Sequence, residues 1–405
     1  MSQKIVSSSS YARTLFRKYY TTTRITAPKE IEKREYGFVF FDNQNMVRHI
    51  SFRSEDQLNE FLRRKIPRHA YYSSAYYEIP DAPVMGEKRW LGADLVFDID
   101  VDHIPTSCKN VHDRWVCPEC GESGYGFYEK CPFCGSDRLK RTIWVCVTCI
   151  EIARDEALKL VDILLSDFGL SDNEIFAVFS GHRGFHIHVD KEIFRELSQD
   201  ARREIADYVR GLGLNINFFI KPTGRSIYKY KYDVSSPGWR GRLARSLLTT
   251  LLEINSVEDL KELGFTTKRA KKVLKDIESS REKGDLLSIS FTKRELEKLL
   301  EKALSSERCI IDEKVTIDTK RLIRLPGSLH GKTGLKVARL SISELENEDI
   351  LKKSIVFNGY AKIKADNLPK RVLDWNFDKQ NKTIIEVPTY IAVYLILNGG
   401  YKLGT

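Results

Sequence analysis

The stretch ADLVFDIDVD, residues 93–102, places aspartates at alternate positions, Asp98, Asp100 and Asp102, among the apolar residues Val96, Phe97, Ile99 and Val101. Alternation of this kind predicts a strand, because successive side chains point to opposite faces. Aspartate is disfavoured in strands. Three carboxylates on one face also repel each other unless cations lie among them. The stretch therefore reads either as the solvated face of an edge strand or as a cation site built into a sheet. Oxygen ligands at neighbouring positions suit Mg2+ or Mn2+, which bind few carboxylates and leave room for phosphate oxygens. A two-ion phosphoryl-transfer site needs one more carboxylate. Asp312, read as a strand residue in CIIDEKV (309–315), is the candidate.

The next informative stretch is SGHRGFHIHV, residues 180–189, with three of the chain's eight histidines. If FHIHV is a strand, His186 and His188 share a face. Two histidines could ligate zinc, but no acidic or sulfur partner lies nearby in sequence. Residues 180–184 read as a tight turn. Its backbone N–H groups, Ser180, His182 and the Arg183 fork form a phosphate-binding constellation. A solvent-exposed turn is the competing reading, and the spacing alone leaves both open.

Further out, a net charge of +10 and a pI near 9.0 favour a polyanionic partner, nucleic acid before membrane. With 405 residues and 42% hydrophobic content, the chain can build a substantial core. It has no apolar run long enough for a membrane helix and no apolar leader segment, which predicts a cytoplasmic protein. Cysteines in that reducing setting mean metal more often than disulfide. CPEC (117–120) and CPFC (131–134) read as a zinc ribbon, with Cys117, Cys120, Cys131 and Cys134 as its ligands. Cys309 precedes a predicted core strand and reads as a buried hydrophobe.

The remaining text reads as helices over 11–20, 56–65 and 150–168, the last stopped by Gly169, with a hairpin over 35–52. Residues 174–189 read as strand, turn, strand. Residues 195–307 are helical and highly charged around a loop at 221–240, whose KPTGRSIYKYKY interleaves basic residues with tyrosines. Such a segment either stacks bases or is a solvated loop. Residues 309–340 return to a β pattern, and KTIIEVPTYIAVYLIL reads as a closing strand and helix.

Three stretches, VFDIDVD, SGHRGFHIHV and IDEKVTIDTKRLIRLPGSLHGKTGLKV, occur in this order. Together they resemble the motif blocks of the small catalytic subunit of archaeal and eukaryotic DNA primase, most closely the archaeal members. EYGFVFF, MVRHISF and WVCVTCIEIARDEALKLVDILLSDFGL extend the resemblance, which covers roughly residues 11–190 and 307–400. It implies an α+β fold: a catalytic core of mixed sheets flanked by helices (1–102, 150–195 and 307–405), a zinc-binding insert (103–149) and an inserted helical subdomain (196–306). It also implies Asp98, Asp100 and Asp312 as Mg2+ or Mn2+ ligands. Ser180, Gly181, Arg183, Gly184 and His186 would contact the incoming nucleotide. His182 stands where eukaryotic members carry Arg. Arg48 matches a phosphate-contacting Arg, Arg324 stands where eukaryotic members carry Lys, and His330 matches a His of the PGSLHGKTG turn.

The CVTC pair, Cys146 and Cys149, resembles the family's own zinc motif. With Cys108 and His112 it gives a second structural zinc site, His103 being a rival to His112. A single-zinc arrangement is the alternative. The implied activity is template-directed synthesis of short RNA, or DNA, primers on single-stranded DNA from NTPs or dNTPs, as a heterodimer with a large subunit. No cysteine set remains for an iron–sulfur cluster, so that cluster would lie on the large subunit. The implied site of action is the nucleoid of an archaeal cell, or the nucleus of a eukaryotic one. Two competing readings are a primase-polymerase of repair that only extends chains, and a non-catalytic zinc-ribbon DNA-binding protein.

Overall fold

In the computed structural model, which describes residues 8–364, 368–377 and 383–404, the carboxylate stretch forms strand Leu95–Asp100. It is the edge of a four-stranded antiparallel sheet ordered Ala338–Leu340, Ile175–Phe179, Gly184–Val189, Leu95–Asp100. The register sets His186 opposite Asp98 and Gly184 opposite Asp100. The whole His186 strand is buried, whereas the aspartate strand alternates buried residues with half-buried carboxylates.

A second four-stranded antiparallel sheet runs Leu322–Arg324, His69–Ser73, Tyr36–Val39, Val47–Ile50. Phe16, Tyr36, Phe38, Leu58, Leu62, Tyr72, Val96 and Val393 pack into one core with it. Helix Glu55–Lys65 shows how local sequence supports this layer. Ser54 caps its first turn, Glu55 and Asp56 meet the positive end of the helix, and Arg63, Arg64 and Lys65 the negative end. Leu58 and Leu62, one turn apart, supply the buried stripe. The C-terminal segment forms strand Ile384–Pro388 and helix Thr389–Gly399, as its apolar text predicts.

The architecture is mixed α+β, and the chain divides into two compact units: Met1–Val161 with Ser171–Arg203 and Ile311–Thr405, and Asp162–Leu170 with Glu204–Ile310. In the second unit, helices Trp239–Glu253, Thr267–Lys283 and Lys293–Glu307 bury Leu243, Leu247, Val273, Ile277, Leu296 and Leu299 together. Thr292 and Glu295 cap one of these helices reciprocally. Among the described residues no helix is long and apolar enough to cross a membrane.

Three local expectations change. Asp102 is not on the aspartate strand: the chain turns into the 3-10 segment Val101–His103, and the Asp102 N–H donates to the Asp100 carboxylate at 2.8 Å. Asp312 is not on a strand either. It caps the short helix Glu313–Ile317, where its carboxylate accepts from the Lys314 N–H, a role Asp fills readily. The expected loop at 221–240 begins as a hairpin, Ile220–Gly224 with Ile227–Tyr230. Its tyrosines are β-formers that a polar-loop reading undervalues.

Candidate active site

Two alternate in-register pairs, Asp98 with His186 and Asp100 with Gly184, with Ile99 and Phe185 paired between them, place both carboxylates on one face of the edge strand. Asp312 joins them through its backbone: its N–H donates to the Asp98 carbonyl at 2.9 Å, which docks the capped helix beside the strand. Burial, then Asp312, pushes the Asp98 carboxyl up to about 6. Burial and Asp102 push Asp100 up to about 6. Carboxylates crowded in this way favour a proton or a cation between them. They remain an open array. Among the described residues, only two cysteine-rich clusters bring three or more ligand atoms within 4.8 Å of one another.

Facing this array is a row of imidazoles ending in a guanidinium. The His182 and His330 rings stack at 5.1 Å, and His330 meets His69 edge-on at 5.1 Å. His69 Nδ1 accepts from Arg324 Nη1 at 2.6 Å and from the Gly331 N–H at 3.2 Å. Two donors on Nδ1 place its proton on Nε2 and keep the ring neutral. Burial and the Arg324 charge depress His69 to about 2. His182 and His330 are likewise held far below the ordinary imidazole value by burial, with Arg183 or Arg324 beside them. His186, 3.5 Å from Asp98, is depressed to about 3, mainly by burial. The ring nitrogens His182 Nε2 and His186 Nδ1 are buried without a partner. Neutral imidazoles around Arg324 and Lys332 make a positive, hydrogen-bonding basin that suits a polyphosphate.

Two turns build this basin. Thr333 Oγ1 donates to the Gly181 carbonyl at 2.5 Å, tying SGHRG to SLHGKTG. Gly181 has φ +77°, and a Cβ there would sit 2.7 Å from the His330 Cβ. At Gly184 a Cβ would sit 2.4 Å from the Ile99 carbonyl oxygen. Both positions need glycine so that the backbones can approach closely. Ser180 Oγ accepts from the His182 N–H at 3.3 Å inside the first turn.

Two expected members of the basin lie elsewhere. Arg183 is 1% exposed, with Nη1 bonded to Asp113 at 3.2 Å and to the Trp144 carbonyl, and Nη2 to Asp102. With both terminal nitrogens engaged by protein, its fork is not free to clamp a phosphate. Arg48 sits on the outer strand of the other sheet, paired with the buried Glu35 at 3.1 Å, which also faces His49 and Lys88. Three strand spacings, about 14 Å, separate its strand from that of Arg324. Conversely, His69 and Lys332 enter the site without having been singled out in the sequence. His188 packs flat on Phe176, with ring centroids 4.5 Å apart, rather than facing the carboxylates.

Cys108, His112, Cys146 and Cys149 converge, with Cys108 Sγ 3.5 Å and His112 Nε2 3.2 Å from Cys149 Sγ. His103 stays outside this set. Cys117, Cys120, Cys131 and Cys134 form a second set on a small sheet of strands Arg114–Val116, Ser123–Tyr125 and Lys140–Thr142. Each set could hold a metal ion. Asp113 accepts from His112 Nδ1 at 2.8 Å and from the Trp144 N–H at 3.0 Å, so the first set connects through Asp113 and Arg183 to Asp102. Cys309 is buried outside both sets.

A family model described as "DNA primase small subunit" matches residues 144–342. Curated relatives extend the likeness along the chain. The DNA primase small subunit PriS of Methanococcoides burtonii is 34% identical, over 97% of this chain and 98% of the relative. That of Methanothrix thermoacetophila is 35% identical over 98% and 99%, and that of Haloarcula marismortui 33% over 97% and 98%.

Proposed function

Because this chain belongs to the DNA primase small-subunit family, we propose that the aspartate strand and the imidazole basin are the two halves of its nucleotidyl-transfer site. The protein is the catalytic subunit of a primase and acts in replication initiation. Asp98, Asp100 and Asp312 would hold two divalent cations, Mg2+ or Mn2+, which offset charge at the attacking and leaving oxygens. The observation that carries this reading is geometric: Asp98 and Asp100 share one face of the strand, and the Asp312 N–H is bonded to the Asp98 carbonyl at 2.9 Å.

In the reaction the 3′-hydroxyl of one nucleotide attacks the α-phosphate of the next and pyrophosphate leaves. His182, His330, Arg324 and Lys332 would take the triphosphate. His186 would hold the end of the chain of phosphates nearest Asp98. Ser180, Gly181 and Gly184 would shape the turn so that backbone N–H groups reach the same oxygens. Positioning and charge stabilisation suffice for phosphoryl transfer, so no covalent enzyme intermediate is needed. Arg183 acts behind the site by fixing the turn, and Arg48 serves a more distant phosphate or strand. Both cysteine sets would bind structural zinc. Sulfurs arranged tetrahedrally about zinc lie about 3.8 Å apart, and the sulfur pairs here lie 3.5 to 3.8 Å apart.

The large subunit, a separate chain carrying the iron–sulfur cluster, would be the stable partner, with single-stranded DNA as template and NTPs or dNTPs as substrates. Residues 196–306 would act as a helical subdomain of this cytoplasmic, nucleoid-associated enzyme. The decisive assay incubates the purified chain with single-stranded template, nucleotides and Mn2+ or Mg2+ but no primer. Oligonucleotide products are expected, and none from Asp98→Asn. Products that require an added primer would overturn initiation and leave a chain-extending polymerase.

A further inference from the structure

The hairpin Ile220–Gly224 with Ile227–Tyr230 has two unlike faces. One packs inward: Tyr230 is buried in the helical core, Ile220 and Tyr228 lie against it, and Tyr230 Oη donates to the Arg240 carbonyl at 2.5 Å. On the other face the register sets Lys221 directly opposite Lys229. Lys231 continues that face two residues on, and Arg225 occupies the exposed tip, where Ser226 takes φ +64°. Like charges directly across a strand pair destabilise it. The inward face fixes the hairpin without help from the lysines, so packing does not account for them.

Among the described residues no ion pair offsets these charges. Between residues 215 and 245 the chain has seven basic residues and one acid, Asp233. That carboxylate is taken by the Ser235 N–H and hydroxyl. Of the seven, Arg242 is buried on Asp162 and Asp167. Among the described residues Lys221, Arg225, Lys229 and Lys231 have no ion-pair partner. Aromatic surface accompanies them. Lys231 and Arg240 both lie over the Tyr232 ring, at 5.3 and 5.1 Å, and Phe218, just before the hairpin, is 71% exposed.

We propose that this face of the hairpin binds the phosphate backbone of single-stranded nucleic acid, with Lys221, Lys229 and Lys231 on successive phosphates and Arg225 at the tip. Cations spaced along a strand beside aromatic rings are the arrangement that tracks a flexible strand without reading its sequence. The proposal rests on the primase reading for the presence of a template, but not on the carboxylate site.

The test compares the full chain with Lys221→Ala/Lys229→Ala/Lys231→Ala and with the charge-retaining triple Arg variant. Affinity for a labelled oligo-dT of about 30 nucleotides is measured by anisotropy between 50 and 200 mM salt. The triple Ala variant is expected to bind at least tenfold more weakly at low salt. Its log–log salt slope should be shallower by about 2, because each of the three lysines that neutralises a phosphate contributes about 0.7 to the slope. The triple Arg variant should keep both properties. Unchanged affinity and slope would overturn the proposal. So would unchanged DNA binding with lost capture of the large subunit, which would make the hairpin a protein-docking surface. Asp98→Asn, run in parallel, separates the two readings. If the primase assignment fails, primer synthesis is absent in the wild-type chain, while the salt slopes still decide the hairpin.

Discussion

At the scale of single residues, Asp98 carries the strongest physical signal. Its carboxyl rises from the ordinary aspartate value to about 6 in the folded chain. A raised folded value means that the native state holds its proton more tightly than the unfolded state. Without divalent metal, stability is therefore full below about pH 4 and is lost as pH rises to about 6. Asp98→Asn removes that loss. Without added Mg2+ or Mn2+ at pH 7 it should stabilise the chain by about 1–2 kcal/mol, a range discounted for the quarter of the side chain that is exposed. The gain should vanish near pH 4 in thermal melts, while primer synthesis at pH 7 with Mn2+ falls at least a hundredfold. Arg183 makes the opposite case. Arg183→Ala leaves the buried Asp113 with only His112 and the Trp144 N–H as partners and should cost about 1–3 kcal/mol in denaturant titrations. A phosphate ligand would instead raise the nucleotide KM and leave stability intact. The aspartates were legible because alternation is a local signal. The direction of Arg183 was not, since a turn residue points where its tertiary partners lie. His69 had no local signal at all, because its partner Arg324 is 255 residues away.

At the scale of elements, periodicity located the strands, the hairpin near the N-terminus and the long helices, but it misplaced residues at element ends. Asp102 and Asp312 both read as strand residues in the sequence. Both in fact sit where the chain turns, and there a short acidic side chain competes with the backbone for N–H donors. The site depends on two such turns lying against each other. Gly181 is the point of closest approach, and Gly181→Ala adds both a strained φ and a clash with His330. The cost should be about 1–2 kcal/mol in stability. The nucleotide KM should rise more than tenfold, with a smaller fall in kcat, in steady-state primer-synthesis assays. Thr333→Val removes the bond between the turns together with the Leu335 N–H bond that Thr333 Oγ1 accepts at 3.1 Å. It should raise KM in the same direction, and Thr333→Ser should restore it.

At the scale of the whole molecule, the two cysteine sets have different mechanical reach, although CxxC spacing alone makes them look equivalent. The set containing Cys146 is continuous with the turn at residues 180–184: His112 bonds Asp113, Asp113 bonds Arg183, and Arg183 bonds Asp102 beside the carboxylates. The ribbon set closes on its own small sheet, with Trp115, Cys117 and Cys131 as its buried cluster. Small cores of that kind depend on the metal for their order and lend little of it to neighbours. Cys131→Ser should therefore lose one zinc of two by metal analysis, yet leave the main thermal transition within about 2 °C and nucleotide KM unchanged. Cys146→Ser should also lose one zinc, but lower the main transition by at least 5 °C and depress primer synthesis on even the shortest template. Equal effects from the two variants would mean that the Asp113–Arg183 connection does not couple the metal set to catalysis. Arg183→Ala should then be no worse for activity than its loss of stability requires.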